Sequence, residues 1–344
     1  MRLIARIVER LGRKTVAAVR GHPRLAVFAG PTVILAAVMA GILLLPQRAE
    51  PPKATVEVYQ AKLLQHVQSP GEDAWRQPAA VAVLDGQMFL LDTGNNRILA
   101  LNSDGEPERV LDGRPDEGPA LKGAMAIASD GEFLYVANSG ARQVLVLTPA
   151  GDVTKTIELE KVAESDTERP RPISIAVSPQ GELLVTDADN DRLLRYDADG
   201  RLVQVMGEGH RGAGTDGFNT PAGVALDDRG NAYVVDMLNG RVVELSPDGT
   251  FLRELGGLGD SGGTFSRPKD VALDDDGNIF VSDGLLAAIE VFSPDGRYLG
   301  FIGREKPSDP KSWSLFQAPA GLKIVGDRLY VVDRFAGLFV FRIN

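Results

Sequence analysis

Pro221-Ala-Gly-Val-Ala-Leu-Asp-Asp-Arg-Gly-Asn-Ala-Tyr-Val-Val-Asp236 recurs, nearly residue for residue, as Pro268-Lys-Asp-Val-Ala-Leu-Asp-Asp-Asp-Gly-Asn-Ile-Phe-Val-Ser-Asp283. The same frame fits Pro172 to Asp187 and Pro78 to Asp92, and more loosely Lys122 to Asn138 and Pro319 to Asp333. Starts at 78, 122, 172, 221, 268 and 319 give intervals of 44, 50, 49, 47 and 51 residues. Self-similarity at such a period marks a repeat architecture. Each interval holds four short apolar runs separated by turn signals, the content of one propeller blade. The fold expected is all-β, a six-bladed β-propeller of four-stranded antiparallel blades over residues 54–344.

Within one unit, Gly223 to Leu226 ends at the tight turn Asp-Asp-Arg-Gly230, and Ala232 to Val235 ends at Asp236. Arg241 to Leu245 runs back, and Ser-Pro-Asp-Gly249 leads to an outer strand, Phe251 to Leu255. Asp-Gly is a strong hairpin signal because glycine accepts positive φ, and it recurs at 104–105, 199–200 and 295–296. The inner strands are nearly continuous in apolar residues, as expected where neighbouring sheets cover both faces. The sixth unit stops after a third strand, Leu338 to Ile343, so the apolar stretch Val56 to Val67 is expected to supply its outer strand. An N-terminal strand closing the last blade leaves no unpaired edge inside the ring.

The pattern Pro-x-x-Val-Ala-Leu…Asp-x-x-Asn-x-Arg resembles the NHL repeat. It stands here as Asp92…Asn95-Asn-Arg97, Asp187…Asn190-Asp-Arg192 and Asp236…Asn239-Gly-Arg241, with an aromatic before the blade proline at Trp75, Phe218, Phe265 and Phe316. Blades two, five and six depart from the Asp…Arg pair. The resemblance implies the propeller and says nothing of activity. The pairs Asp92–Arg97, Asp187–Arg192 and Asp236–Arg241 recur at the blade period, so they are read as charge-assisted bonds inside hairpins rather than as catalytic groups.

Ahead of the repeats, Leu25 to Leu45 is uncharged over 21 residues and is preceded by seven Lys/Arg. A helix of that length crosses about 30 Å of hydrocarbon, and the basic flank holds residues 1–24 in the cytoplasm. The expected organisation is a basic cytoplasmic segment (1–24), an N-terminal transmembrane helix (25–45), a proline-containing linker (46–53) and an extracytoplasmic propeller (54–344), periplasmic in a bacterium. Residues 1–53 carry a net +7 and the remainder −17, an imbalance that argues for membrane topology and against nucleic acid as a partner. The chain has no cysteine, so disulfides, thiolate ligands and cysteine nucleophiles are excluded.

Little in the sequence spells out chemistry. The three histidines are His22, His66 and His210, too few for the metal-dependent amidating lyases built on similar propellers. Asp187-Ala-Asp-Asn-Asp191 opens like a calcium loop but has Arg192 and Ala198 where Gly and Glu are required. Gluconolactonase-like propellers place metal-binding carboxylates around the central channel. The equivalent mouth positions here are Ala80, Ala124, Ser174, Gly223, Asp270 and Gly321, with Asp270 the single carboxylate. No metal and no cofactor are therefore expected. Two readings remain: a membrane-anchored scaffold binding protein partners in the cell envelope, or a lactonase-like propeller hydrolase or lyase whose site is assembled from loops. The scaffold reading takes as its docking patch the apolar hairpin tips of blades four to six, Met237, Leu238, Leu285, Leu286 and Phe335, since such tips are ordinarily polar.

Overall fold

The computed structural model describes residues 59–69, 74–111, 121–164, 166, 168–207, 211–303 and 314–343. Segments 1–24, 25–45 and 46–53 lie outside these residues, as do His22 and His210. The expected single-pass membrane localisation is corrected: among the described residues no helix is long and apolar enough to cross a membrane, and the Leu25–Leu45 run on which it rested lies outside them.

Six four-stranded antiparallel sheets follow one another along the chain. The first strand is β1 (Ala61–Val67). Blade one is β2 (Ala80–Leu84), β3 (Gln87–Asp92), β4 (Arg97–Leu101) and β5 (Pro107–Leu111); blade two is β6 (Ala126–Ser129), β7 (Leu134–Asn138), β8 (Gln143–Leu147) and β9 (Val153–Glu158). Blade three is β10 (Pro172–Val177), β11 (Leu183–Asp187), β12 (Arg192–Tyr196) and β13 (Leu202–Met206). Blade four is β14 (Pro221–Leu226), β15 (Ala232–Asp236), β16 (Arg241–Leu245) and β17 (Phe251–Gly256). Blade five is β18 (Pro268–Leu273), β19 (Ile279–Asp283), β20 (Ala288–Phe292) and β21 (Tyr298–Ile302). Blade six is β22 (Pro319–Val325), β23 (Arg328–Asp333) and β24 (Gly337–Ile343), completed by β1 as its outer strand.

Closure runs antiparallel from Ala61 opposite Ile343 to Val67 opposite Leu338, with a register shift between Leu63 and Gln65. His66 stacks on Phe339 with ring centroids 4.0 Å apart, and its Nε2 lies 2.7 Å from the Ala336 carbonyl. The second and third strands of each blade are buried on both faces, which is why every residue of Leu183-Leu-Val-Thr-Asp187 is inaccessible. The outer strands alternate instead, as in β9 and β17, because only one face meets the next blade.

The Asp…Asn-x-Arg signature has a complete local explanation. Asp187 is fully buried; its Oδ2 accepts from Asn190 (2.8 Å) and Arg192 Nε (3.0 Å), and its Oδ1 accepts the Arg171 N–H (3.0 Å) from the chain entering the blade. Asp92 repeats this with Asn95, Arg97 and the Arg76 N–H, and Asp236 with Asn239, Arg241 and the Asn219 N–H. One buried carboxylate thus locks the hairpin to the incoming inter-blade connection, and both its oxygens are hydrogen-bonded inside the protein.

In blades five and six there is no arginine at the start of the third strand, and the buried aspartate does different work. Asp283 Oδ1 accepts the N–H groups of Leu285 and Leu286, both at 2.9 Å, and Asp333 Oδ1 accepts those of Phe335 and Ala336, also at 2.9 Å. The other oxygen of each takes two N–H groups of the incoming chain, Ser266 and Arg267 or Gln317 and Ala318. These tips are clamped by their own backbone.

Candidate functional site

The first strands of the six blades line a central channel. One ring of its wall is Ala80, Ala126, Ser174, Gly223, Asp270 and Gly321. Ala124 was expected here and is replaced by Ala126, because the start of blade two is offset: Ala126 pairs with Ala137 as Ala80 pairs with Leu91 and Asp270 with Ser282. Ala124 itself is buried under blade one, where its carbonyl accepts from Thr93 Oγ1 at 2.8 Å. Glycine is required at two of the six positions by close approach: a Cβ on Gly223 would collide with the backbone of Asp270, and one on Gly321 with the backbone of Ala79 and Ala80.

Polar groups stitch this ring from blade to blade. Ser174 Oγ accepts the Val224 N–H (3.3 Å), Ser282 Oγ donates to the Ala320 carbonyl (2.6 Å), and Asp270 Oδ2 accepts the Leu322 N–H (2.8 Å). Asp270 Oδ1 accepts the Val271 N–H at 3.0 Å. The Asp270 carboxyl faces the channel but is enclosed by protein, and this desolvation outweighs its two hydrogen bonds and the nearby Lys323, pushing it up to about 6. Desolvation likewise pulls Lys323 down, against the attraction of Asp270.

These six residues help line a cavity of about 240 Å³ at the channel mouth. Three cations reach it from blades far apart in the chain: Arg171, Lys269 and Arg334. Lys269 is half-buried; burial, then repulsion from Arg267 and Arg334, lowers its ammonium to about 8. Arg171 is tied to Asp189 at 2.6 Å. A carboxyl and a lysine that both titrate nearer neutrality than usual line this one opening, while the cation that acts on the carboxyl itself is Lys323.

The expected site residues divide on inspection. Asp92, Arg97, Asp187, Arg192, Asp236 and Arg241 lie within their hairpins, with the contacts given above. Met237 stands at the channel mouth, its Sδ 3.3 Å from Lys269 Nζ. Leu238, Leu285 and Phe335 are exposed, whereas Leu286 is only 4 % exposed and so lies in the interior, outside any exposed crescent. The cations at the mouth were missed. Their one local mark is position, immediately before the blade proline (Arg171), after it (Lys269) or after the strand-ending aspartate (Arg334).

A lactonase-type metal centre does not fit these residues. Asp270 is the single carboxylate on the ring, and both its oxygens already accept backbone N–H groups. Among the described residues no three His, Cys, Asp or Glu side chains converge as a metal-ligand group.

Residues 80–303 match the family model described as SMP-30/Gluconolactonase/LRE-like region. No curated protein matches the chain in sequence. Among solved structures it is similar to a gluconolactonase from Xanthomonas campestris (17 % identity, TM-score 0.59, covering 86 % of this chain and 94 % of that one). It is also similar to virginiamycin B lyase from Staphylococcus aureus (15 % identity, TM-score 0.56, 83 % of this chain and 100 % of that one). A protein of unknown function from Bacteroides thetaiotaomicron aligns at 14 % identity with a TM-score of 0.60, covering 83 % of this chain and 75 % of that one. At these identities the likeness is one of fold. The expectation of a scaffold without chemistry is corrected by the family match, which favours the lactonase-like reading.

Proposed function

Because the chain belongs to the SMP-30/gluconolactonase/LRE-like family, we propose that it is a lactone-opening hydrolase whose site is the mouth of the central channel. The observation that carries this reading is the presence of Asp270, raised to about 6, and Lys269, lowered to about 8, in the lining of one opening. Asp270 in its ionised form takes a proton from the water that attacks the lactone carbonyl. Lys269 in its protonated form stabilises the oxyanion, and the proton held by Asp270 passes to the ring oxygen as the C–O bond breaks. This chemistry uses residues present in the chain and calls on no carboxylate-bound metal. The NHL-like Asp…Asn-x-Arg signature is, on this reading, a hairpin lock in three blades and no part of the site.

Both groups must be in the correct form at once. The rate is expected to rise through about pH 6 as Asp270 ionises and to fall above about pH 8 as Lys269 loses its proton. Assays of acid release from a panel of γ- and δ-lactones test this. Asp270→Asn can accept only one of the two backbone N–H groups that the carboxylate holds, so some loss of melting temperature is expected, and in the folded variant kcat/KM should fall about a hundredfold. Lys269→Met should remove the alkaline limb. Full activity in folded Asp270→Asn, or a panel in which no lactone is opened, would refute the proposal.

A further inference from the structure

The channel mouth continues sideways into a second depression between blades five and six. Lys269, Ala320 and Arg334 line both, and Arg267, Leu285 and Phe335 extend the second outward. Two features set this shelf apart. Leu285 and Phe335 are 69 % and 66 % exposed on adjacent hairpin tips, each beside a small or buried neighbour. Their backbones are fixed by Asp283 and Asp333, so the two apolar side chains are presented on rigid supports. A rigid apolar surface loses little entropy when a ligand covers it.

The second feature is charge. Among the described residues no carboxylate forms an ion pair with Arg267, Lys269 or Arg334. The acceptor Lys269 does have is the Met237 sulfur, a weak one. The chain as a whole is acidic, with 47 Asp and Glu against 37 Lys and Arg, so carboxylates to neutralise these cations are not scarce. Instead the three crowd one another, and their repulsion contributes to the lowered Lys269 ammonium. An anion placed among them would relieve that repulsion. Arginine is suited to this because its planar fork grips carboxylate in bidentate fashion.

We propose that this shelf is a binding subsite for an amphipathic organic anion, with its apolar part between Leu285 and Phe335 and its carboxylate on Arg267 and Arg334. Resting on the proposed hydrolase activity, the same subsite selects lactones that carry an apolar substituent and a negative charge over small neutral ones. Blades five and six lack the hairpin arginine of blades one, three and four. The aspartate freed from that arginine holds the tip N–H groups that present Leu285 and Phe335.

Octanoate is the probe, titrated into the full chain by calorimetry with acetate and octanol as controls. Octanoate is expected to bind about tenfold or more tightly than either control, because both halves of the site contribute. Arg334→Gln and Phe335→Ser, each checked for an unchanged melting temperature, should each weaken octanoate by about tenfold. Arg201→Gln, on an exposed turn of blade three, should bind it as the parent does. Equal affinity for acetate and octanoate, or unaltered octanoate binding in both folded variants, would overturn the subsite. If octanoate behaves as expected while no lactone is opened, the subsite stands and the hydrolase reading alone falls.

Discussion

Deletion of β1, Ala61–Val67, is expected to lower the thermal midpoint of the chain by about 10 °C or more. The strand is the outer member of blade six and is drawn from the opposite end of the sequence. Its removal strips the ladder from one edge of β24 and uncovers one face of Phe339, Phe341 and Ile343, all now 4 % exposed or less. Exposing part of three large side chains costs about 5 kcal/mol on area grounds, before the unpaired backbone groups are counted. Val67 also packs against Gly105 of blade one, so the loss reaches the neighbouring blade. Circular dichroism melts of parent and deletion compare the two directly. An unchanged midpoint would mean that blade six is stable with three strands and that β1 contributes no closure.

Arg192→Met should destabilise the fold by about 3–5 kcal/mol at neutral pH. Arg192 is 3 % exposed, and its guanidinium is held by two carboxylates: Nε by Asp187 at 3.0 Å, and Nη1 and Nη2 by Asp166 at 3.0 and 2.6 Å. Methionine fills the stem's volume but leaves Asp187 and Asp166 buried without a cation. Burial alone would raise Asp166; the Arg192 fork and the N–H groups of Ala163 and Val162 outweigh it and hold the carboxyl below its ordinary value. A folded-state value below the unfolded one contributes stability that is present above about pH 4 and is lost as pH falls through the lowered value. The difference between parent and variant should therefore be largest at pH 7 and shrink below about pH 4. Urea titrations at pH 7 and pH 3 measure it. A gap independent of pH would show that packing of the arginine stem, rather than its charge, is what the substitution removes. By contrast Arg201, 75 % exposed beside Asp199, should be replaceable with little effect.

What the sequence determined by itself was the propeller: the number of blades, the strand order within each, and closure of the last blade by an N-terminal strand. The physical reason is locality. Blades one to five are each a run of hairpins whose turns and apolar runs, with the buried Asp…Asn-x-Arg lock in blades one, three and four, are written within one repeat of consecutive residues, as Pro221 to Phe251 illustrates. A missing fourth strand after Ile343 and a spare apolar stretch before Trp75 are equally visible in one dimension. The site was not legible in this way. Arg171, Lys269 and Arg334 come from blades three, five and six, and they meet at one opening because the ring curves round to bring them there. The titration of Asp270 depends on its burial and on Leu322 and Lys323 of the next blade, which reach it only once the ring is assembled. At finer scale, Leu285 and Leu286 are alike in sequence yet 69 % and 4 % exposed. The Asp283 clamp holds the backbone of both, and the fold of the tip turns one side chain out and the other in. Ala126 rather than Ala124 lines the ring because backbone pairing with β7 sets the register, and a hydrophobic pattern of small residues carries no trace of that choice.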